Sequence, residues 1–418
     1  MKKDNILILG GDGYLGWSLG LAFANRTNFN VVLADNMIKR DWEKEVDAKS
    51  LVPFKSPEDR IAEYSRIFGK SNLYFEKLDL LEYYAIIKII KKYKPTIIIN
   101  AAQQPSAPFS MMNAKNSAAT FNNNVVGHLN VLWAISEIDK NITYIKLGSA
   151  GCYSGIDANY IPLEKVDLKF DYKNKNYKIL ESWIPMHATD FYHQSKINDF
   201  LLNELASDVW KLKIVTVQQS TIFGATIDEN FPKENKGLNT RFNYDSVFGT
   251  VINRFICQLE IGGPLTVYGD GNQVTGLVSL SDTVDNFINI AKMKIAPGEH
   301  KIVHNYTFRK SINEITEAII DVDKTALVIH IKNPRKEMDS KLKKGVEVHN
   351  TLKVSHKNKD KKLKTELLNL IGFVDRYKNN IDASVIMPKI LWEKEHASHQ
   401  KSLQKTLQKR KFSLITRQ

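Results

Sequence analysis

The chain has 418 residues, 43% of them hydrophobic and 25% charged, and a formal net charge of +13. That is enough apolar material for one large α/β domain with a smaller partner, or for two ordinary domains. No apolar run approaches the ~20 residues a membrane helix needs, and two cysteines, Cys152 and Cys257, exclude a disulfide framework or a cysteine metal cluster, so a cytoplasmic protein without a metal site is expected.

Met1-Lys2-Lys3-Asp4 leads into a strand rather than into a secretory leader. The pattern predicts that strand over Asn5–Leu9, a turn at Gly10-Gly11-Asp12-Gly13, and a helix from Tyr14 to about Asn25. Further strand-length runs are Val31–Ala34, Leu73–Lys77, Thr96–Asn100, Thr143–Leu147 and Ile214–Val217, with helical stretches such as Tyr83–Tyr93 and Val125–Glu137 between them. Strand and helix alternating at this spacing predict an α/β, Rossmann-type, doubly wound parallel sheet. From about Ile227 the punctuation changes, with Pro232, Gly237, Gly262-Gly263-Pro264 and Gly269-Asp270-Gly271. Residues 1–225 are therefore read as the cofactor domain and 226–395 as a smaller substrate-binding lobe, with an exposed, mobile, Lys-rich insertion at about 340–365 and a basic tail at 396–418.

The charge is local. Residues 332–364 hold twelve Lys/Arg against Glu337, Asp339, Glu347 and Asp360, and residues 401–418 add six with no acid. The rest of the chain is close to neutral, so the net charge marks solvated segments rather than a specific nucleic-acid site.

Gly10-x-x-Gly13-x-x-Gly16, with Tyr14 and Leu15 inside it, lies between a predicted strand and a predicted helix. Glycines there let the backbone turn tightly and approach a pyrophosphate, which then sits on the helix N-terminus. Asp35 closes the second strand, where a carboxylate binds both ribose hydroxyls of NAD and repels a 2′-phosphate. Asn36 and Arg40 are counted with it; Lys39 and Arg40 leave NADP disfavoured rather than excluded. Asp79 and Leu80 after the third strand flank the adenine, and Ala101, Ala102 and Gln103 after the fourth line the ribose side.

Tyr192-His193-Gln194-Ser195-Lys196 puts Tyr192 and Lys196 on one face of a helix. The ammonium of Lys196 stabilises a tyrosinate and holds the nicotinamide ribose, which places both side chains in the cofactor site as well. Ser149, after the fifth strand, supplies the hydroxyl that shares the substrate proton. His187 and His193 read as structural histidines or site residues alike, and Cys152 reads first as a small buried residue.

With Gly10-Gly11-Asp12-Gly13-Tyr14-Leu15-Gly16-Trp17, Ser106-Ala107-Pro108-Phe109-Ser110-Met111, Asn123-Asn124-Val125, Phe191–Lys196, Asn243–Thr250, Pro264–Gly269, Asn333-Pro334-Arg335 and Ile386-Met387-Pro388, the chain resembles the UDP-sulfoquinovose synthase family, extended short-chain dehydrogenases, from Gly10 to about Trp392. The resemblance implies bound NAD with Asn124 beside it, and contacts to a UDP-sugar from Cys152, Gln219, Arg254, Val267, Tyr268 and Arg335. It implies oxidation of UDP-glucose at C4, loss of water across C5 and C6, addition of sulfite or delivery from a sulfite donor protein, and re-reduction at C4. It also implies a homodimer. Three departures bear on the chemistry: Cys152 stands where the family carries Glu, Pro105 where it carries Arg, and Thr275 and Ser281 where it has arginines. A nucleotide-sugar 4-epimerase or dehydratase without sulfite chemistry is therefore the alternative enzyme, and a non-catalytic NAD-binding homologue the alternative of another kind. The segment Tyr153–His187, with Tyr160, Phe170, Tyr172, Tyr177 and Trp183, is expected to reshape the pocket.

Overall fold

The computed structural model describes residues 4–153, 160–161, 166–182, 186–230, 237–333, 347–348 and 359–386. Alternate side chains of each central strand point to opposite faces. Ile6 and Ile8 enter one apolar core, and Leu7 and Leu9 enter the other. A strand buried on both faces in this way reads as a continuous apolar run, as parallel sheets covered by helices require.

Seven strands form one parallel sheet. In spatial order they are His300–Asn305, Lys213–Gln219, Thr143–Leu147, Ile97–Asn100, Asn5–Leu9, Asn30–Asp35 and Leu73–Lys77. The six strands read from the sequence are all present, and the sheet is the expected Rossmann type. The connection reverses direction between Asn5–Leu9 and Ile97–Asn100, where Leu9 lies opposite Asn100. Ligands of open α/β sheets bind at such a crevice.

The seventh strand was not foreseen. His300–Asn305 and the helix Leu280–Ile290 lie beyond residue 225, yet the strand completes the large sheet and Leu280, Val284, Phe287 and Ile290 join its core. The chain thus crosses between the two lobes more than once. The strand escaped notice because it reads His-Lys-Ile-Val-His-Asn, with polar residues at both ends.

A second core belongs to the smaller lobe. It is built on the helix Val251–Glu260, a parallel pair Leu265–Tyr268 with Val328–Ile331, and the helices Ile312–Val322 and Lys359–Asp375. The last helix corrects the Lys-rich insertion: from Lys359 the lysines share a helix with Leu363, Leu367, Leu370 and Phe373, which are buried in this core. The rest of the insertion, apart from Glu347–Val348, and the basic tail lie outside the described residues. In the segment Tyr153–His187, Val166–Tyr172 and Lys175–Ser182 form an antiparallel hairpin.

Residues that follow the strand Lys213–Gln219 close over the glycine turn. The Trp17 indole N–H donates to the Leu238 carbonyl at 2.9 Å, the Tyr14 hydroxyl donates to the Gly224 carbonyl at 2.7 Å, and Thr240 Oγ1 donates to the Tyr14 carbonyl at 2.7 Å.

Candidate active site

A cleft opens at the strand-order reversal and is lined by Gly10, Gly13, Asp35, Asn36, Leu80, Ala101, Ala102 and Gln103 among the expected cofactor residues. Gly10 adopts φ +87°, which only glycine takes without strain. A Cβ there would stand 2.7 Å from the Ala101 carbonyl carbon, and one at Gly16 would stand 2.0 Å from the Gly10 oxygen. The helix Tyr14–Arg26 starts after Gly13 with no side chain capping its first turn, which leaves its N–H groups facing an anion site. Asp35 accepts hydrogen bonds from the Asp12 amide at 2.9 Å and the Met37 amide at 2.6 Å. Burial raises its carboxyl pKa, and those two N–H groups oppose the rise. A cradle that a single methyl would fill, an uncapped helix start and a ribose-binding acid fit NAD.

Three expected cofactor residues take supporting places instead. Arg40 places Nε and Nη2 at 2.8 Å from the two oxygens of Asp12, a lining residue, and Lys39 itself lines the cleft. Asp79 accepts from the Asn36 amide at 3.0 Å and so orients a lining residue. Asn124 is fully buried, and Asn123 lines the cleft. The cause of that last exchange is a π-helical turn at Asn122–Val126, between the helices Ala114–Phe121 and Gly127–Ile138. A π turn inserts a residue into the helical register and often sits at a functional site. It aims Asn124 inward, where it accepts from the Gln104 amide at 2.8 Å and donates to Ser195 Oγ at 3.0 Å. Leu15 is a core residue behind the turn.

The catalytic trio converges from two elements. Tyr192 and Lys196 lie on the helix Phe191–Trp210, and Ser149 follows the strand Thr143–Leu147 with its amide held by Gln218 Oε1 at 2.9 Å. Ser149 hydrogen-bonds the Tyr192 phenol. Lys196 Nζ lies 5.6 Å from the Tyr192 ring centre and donates to the Leu147 carbonyl at 3.2 Å. Burial pushes the Tyr192 phenol up, with Cys152, Asp190 and Asp199 adding to the rise and Ser149 opposing it. Burial is also the main reason Lys196 falls to about 7; the Lys146 charge adds to the fall, and Asp199 opposes it.

His193 is better placed for acid–base work than its sequence context indicated. Asp190 caps the helix, accepting from the His193 amide at 2.9 Å, and its other oxygen lies 2.5 Å from His193 Nδ1. The far nitrogen, Nε2, packs over Gly151, where a Cβ would approach it to 2.1 Å. The legible signal was an N-cap Asp three residues before a His. Cys152, beside this turn, is fully buried, and burial pushes its thiol up to about 12.

Of the expected substrate contacts, Arg254 and Tyr268 meet: Arg254 Nη1 donates to the Tyr268 hydroxyl at 2.8 Å. Gln219 Oε1 accepts from Asn305 Nδ2 at 2.9 Å, and Val267 is packed in the second core. Arg335 lies outside the described residues. Asp12, Arg60 and Arg241 were missed, because no local pattern links residues so far apart in the chain. Among the described residues no cluster of His, Cys, Asp and Glu is arranged to hold a metal.

Residues 6–303 match the NAD dependent epimerase/dehydratase family. UDP-sulfoquinovose synthase of Sulfolobus acidocaldarius is 32% identical over 340 residues, 80% of this chain and 84% of that protein. The chloroplastic UDP-sulfoquinovose synthase of Spinacia oleracea is 29% identical over 406 residues, 94% of this chain and 80% of that protein. Among solved structures, UDP-glucuronic acid 4-epimerase from Bacillus cereus, in complex with UDP-glucuronic acid and NAD, superposes with a TM-score of 0.62 at 16% identity, covering 89% of this chain and 99% of that one. An NAD dependent NDP-hexosamine 5,6-dehydratase of tunicamycin biosynthesis superposes with a TM-score of 0.58 at 16% identity, covering 91% and 100%. At these identities the solved structures share the fold.

Gly16→Ala should abolish NAD binding, measured by titration calorimetry, while circular dichroism of the variant stays that of the parent. Lys196 gives a second test. Its folded-state pKa, about 7, lies below the 10.5 of an ordinary lysine, so the folded chain holds fewer protons than the unfolded chain between those values. Stability from this group therefore rises with pH across that window. The difference in melting temperature between Lys196→Met and the parent, favouring the variant at pH 7, should narrow as the pH approaches 10; a difference independent of pH would contradict the assignment.

Proposed function

The chain belongs to the NAD dependent epimerase/dehydratase family, among the UDP-sulfoquinovose synthases, and from that premise we propose that it converts UDP-glucose and sulfite into UDP-sulfoquinovose. The observation that carries this reading is the meeting of Ser149, Tyr192 and Lys196 beside an NAD cradle, in a chain similar to such synthases over most of its length. Gly10, Gly13 and Asp35 would hold NAD, which would supply a reversible hydride acceptor for C4 of the sugar. Tyr192 accepts the C4 hydroxyl proton, Ser149 shares that hydrogen bond, and the Lys196 ammonium stabilises the phenolate.

A ketone at C4 acidifies the C5 proton. His193, oriented by Asp190, is the group we assign to take that proton and return it to the C6 hydroxyl as water leaves. Cys152 does not take this role, because its side chain is fully buried whereas Tyr192 and His193 are only half-buried. Sulfite then adds at C6. Arg254, held by Tyr268, supplies a guanidinium for the nucleotide phosphates. A 4-epimerase or a dehydratase without sulfite chemistry shares the C4 oxidation, and Pro105 favours it, since no guanidinium stands there for an anion.

The working unit is a homodimer. Leu201, Leu205 and Val209 form an exposed apolar stripe at helical spacing on Phe191–Trp210, with Val126 and Trp133 also exposed. No described helix is long and apolar enough to cross a membrane, and both cysteines are free and buried. We place the enzyme in the cytoplasm.

Incubating the protein with UDP-glucose and NAD, with and without sulfite, should give a sulfonated sugar nucleotide only in the first case. A C4 epimer or a keto-sugar in both cases would establish the alternative. Tyr192→Phe should lower turnover by about 10²–10⁴-fold while leaving the NAD dissociation constant within about twofold. Leu205→Lys should shift sedimentation from dimer to monomer; a parent that already sediments as a monomer would remove the dimer.

A further inference from the structure

Beneath Lys196 lies a buried charge cluster that the C4 chemistry does not use directly. Lys146 sits in the middle of the strand Thr143–Leu147, with its side chain fully buried. Its Nζ is 3.1 Å from Asp199 Oδ2, and the Nζ of Lys196 is 3.6 Å from that same oxygen. Asp199 stands three residues after Lys196, hence on the same helix face. Among the described residues no hydrogen-bond donor is well angled to either oxygen of Asp199. Two buried lysines therefore share one buried carboxylate, which can neutralise only one of them.

A lysine within a strand covered on both faces is costly to desolvate unless its charge is compensated. An apolar residue would fill that space without the cost. What Lys146 adds is a competitor for the counter-ion of Lys196. We propose that Lys146 and Asp199 are positioning residues that set the protonation of Lys196 from below the site, and through it the acidity of Tyr192.

The groups facing Lys196 are few. From its own helix come Tyr192 and Asp199, and from the helix start Asp190. The strand Thr143–Leu147 presents Lys146 and the Leu147 carbonyl, and the turn after it presents Ser149 and Cys152. The helix Gly127–Ile138 contributes His128, whose Nδ1 lies 2.8 Å from the Tyr144 hydroxyl. Burial, with the Lys146 charge second, pushes His128 down to about 3, so it is neutral throughout the working range. Of these, Asp199 holds a proton on Lys196 and Lys146 drives it off. The pair thus acts with opposite signs: Lys146→Met frees Asp199 for Lys196 and strengthens the ammonium, whereas Asp199→Asn leaves two cations without a counter-ion and weakens it.

This inference rests on the function proposed above for its meaning, but its test does not need the substrate. The full chain, carrying ε-¹³C-lysine, is titrated by NMR, with the Lys196 signal assigned by its loss in Lys196→Met. The Lys196 midpoint should rise by about one pH unit in Lys146→Met and fall by about one unit in Asp199→Asn, and it should return toward the parent in the double variant. Removing one partner of a buried pair can unfold a chain, whereas replacing both is close to neutral, so the double variant supplies the comparison if a single one fails to fold. Nicotinamide reduction with UDP-glucose is followed on the same samples, where the basic limb of the pH profile should move with the NMR midpoint while KM stays within about twofold. Midpoints that stay put, or that shift in the same direction in both single variants, would overturn the proposal. Shifts as expected in a protein that reduces no nicotinamide would instead overturn the function and leave the charge relation standing.

Discussion

A single buried carboxylate fixes the geometry on which the cofactor cleft depends. Asp12, inside the glycine turn, accepts from Arg40 just after the second strand, from Arg60 on the helix Pro57–Phe68, and from Arg241 in the smaller lobe. Arg241 also reaches Glu43. Each of these charges would be costly alone in the interior, so the arrangement holds only while every partner is in place. Its consequence is positional. The turn that must accept a pyrophosphate is tied to the second strand, to a flanking helix and to the other lobe at one residue. The three arginines outweigh the desolvation of the acid, and the Asp12 carboxyl stays below its ordinary pKa. The tie therefore persists through neutral pH.

The same physics recurs on the nicotinamide side with a different balance. Around Asp12 the cations are guanidinium groups, which stay charged, and Arg40 binds the carboxylate through two nitrogens. Around Asp199 they are lysines, whose pKa moves readily when buried. Arginine makes the first cluster a fixed joint, and lysine makes the second one adjustable. A site that passes a proton to and from Tyr192 needs the adjustable kind, because a base that is permanently charged cannot follow the titration of its neighbour.

What the sequence disclosed, and what it withheld, follows from the range of the interactions involved. The strands Asn5–Leu9 and Thr143–Leu147 are apolar runs whose period speaks for itself, and the glycine turn is legible because its constraint is local: Gly16 must lack a Cβ because Gly10 lies two ångströms from it. Tyr192 and Lys196 are legible for a similar reason, being one helical turn apart. Asp12 and Arg241 are separated by most of the chain, and nothing near either predicts the other. The π turn at Asn122–Val126 was also hidden, since it exchanges the roles of Asn123 and Asn124 through a register change that no residue pattern records. Lys146 shows the limit most clearly: in sequence it breaks an apolar strand, and only folding reveals that a carboxylate from the helix Phe191–Trp210 lies beside it.

The replacement of a carboxylate by Cys152 then has a physical consequence for the reaction as a whole. A fully buried thiol is badly placed to act as a base, so in the proposed reaction the proton at C5 falls to a less buried neighbour. His193 has a partner and is only half-buried: Asp190 fixes one nitrogen, and the ring rests on Gly151, where a larger side chain would displace it. Because Asp190 is at the same time the N-cap of the helix carrying Tyr192 and Lys196, the orientation of the histidine and the start of the catalytic helix are set by one side chain. In the proposed reaction the oxidation and elimination steps are therefore coupled in geometry even though they use different groups. A change at Asp190 disturbs both, whereas a change at Cys152 is confined to packing.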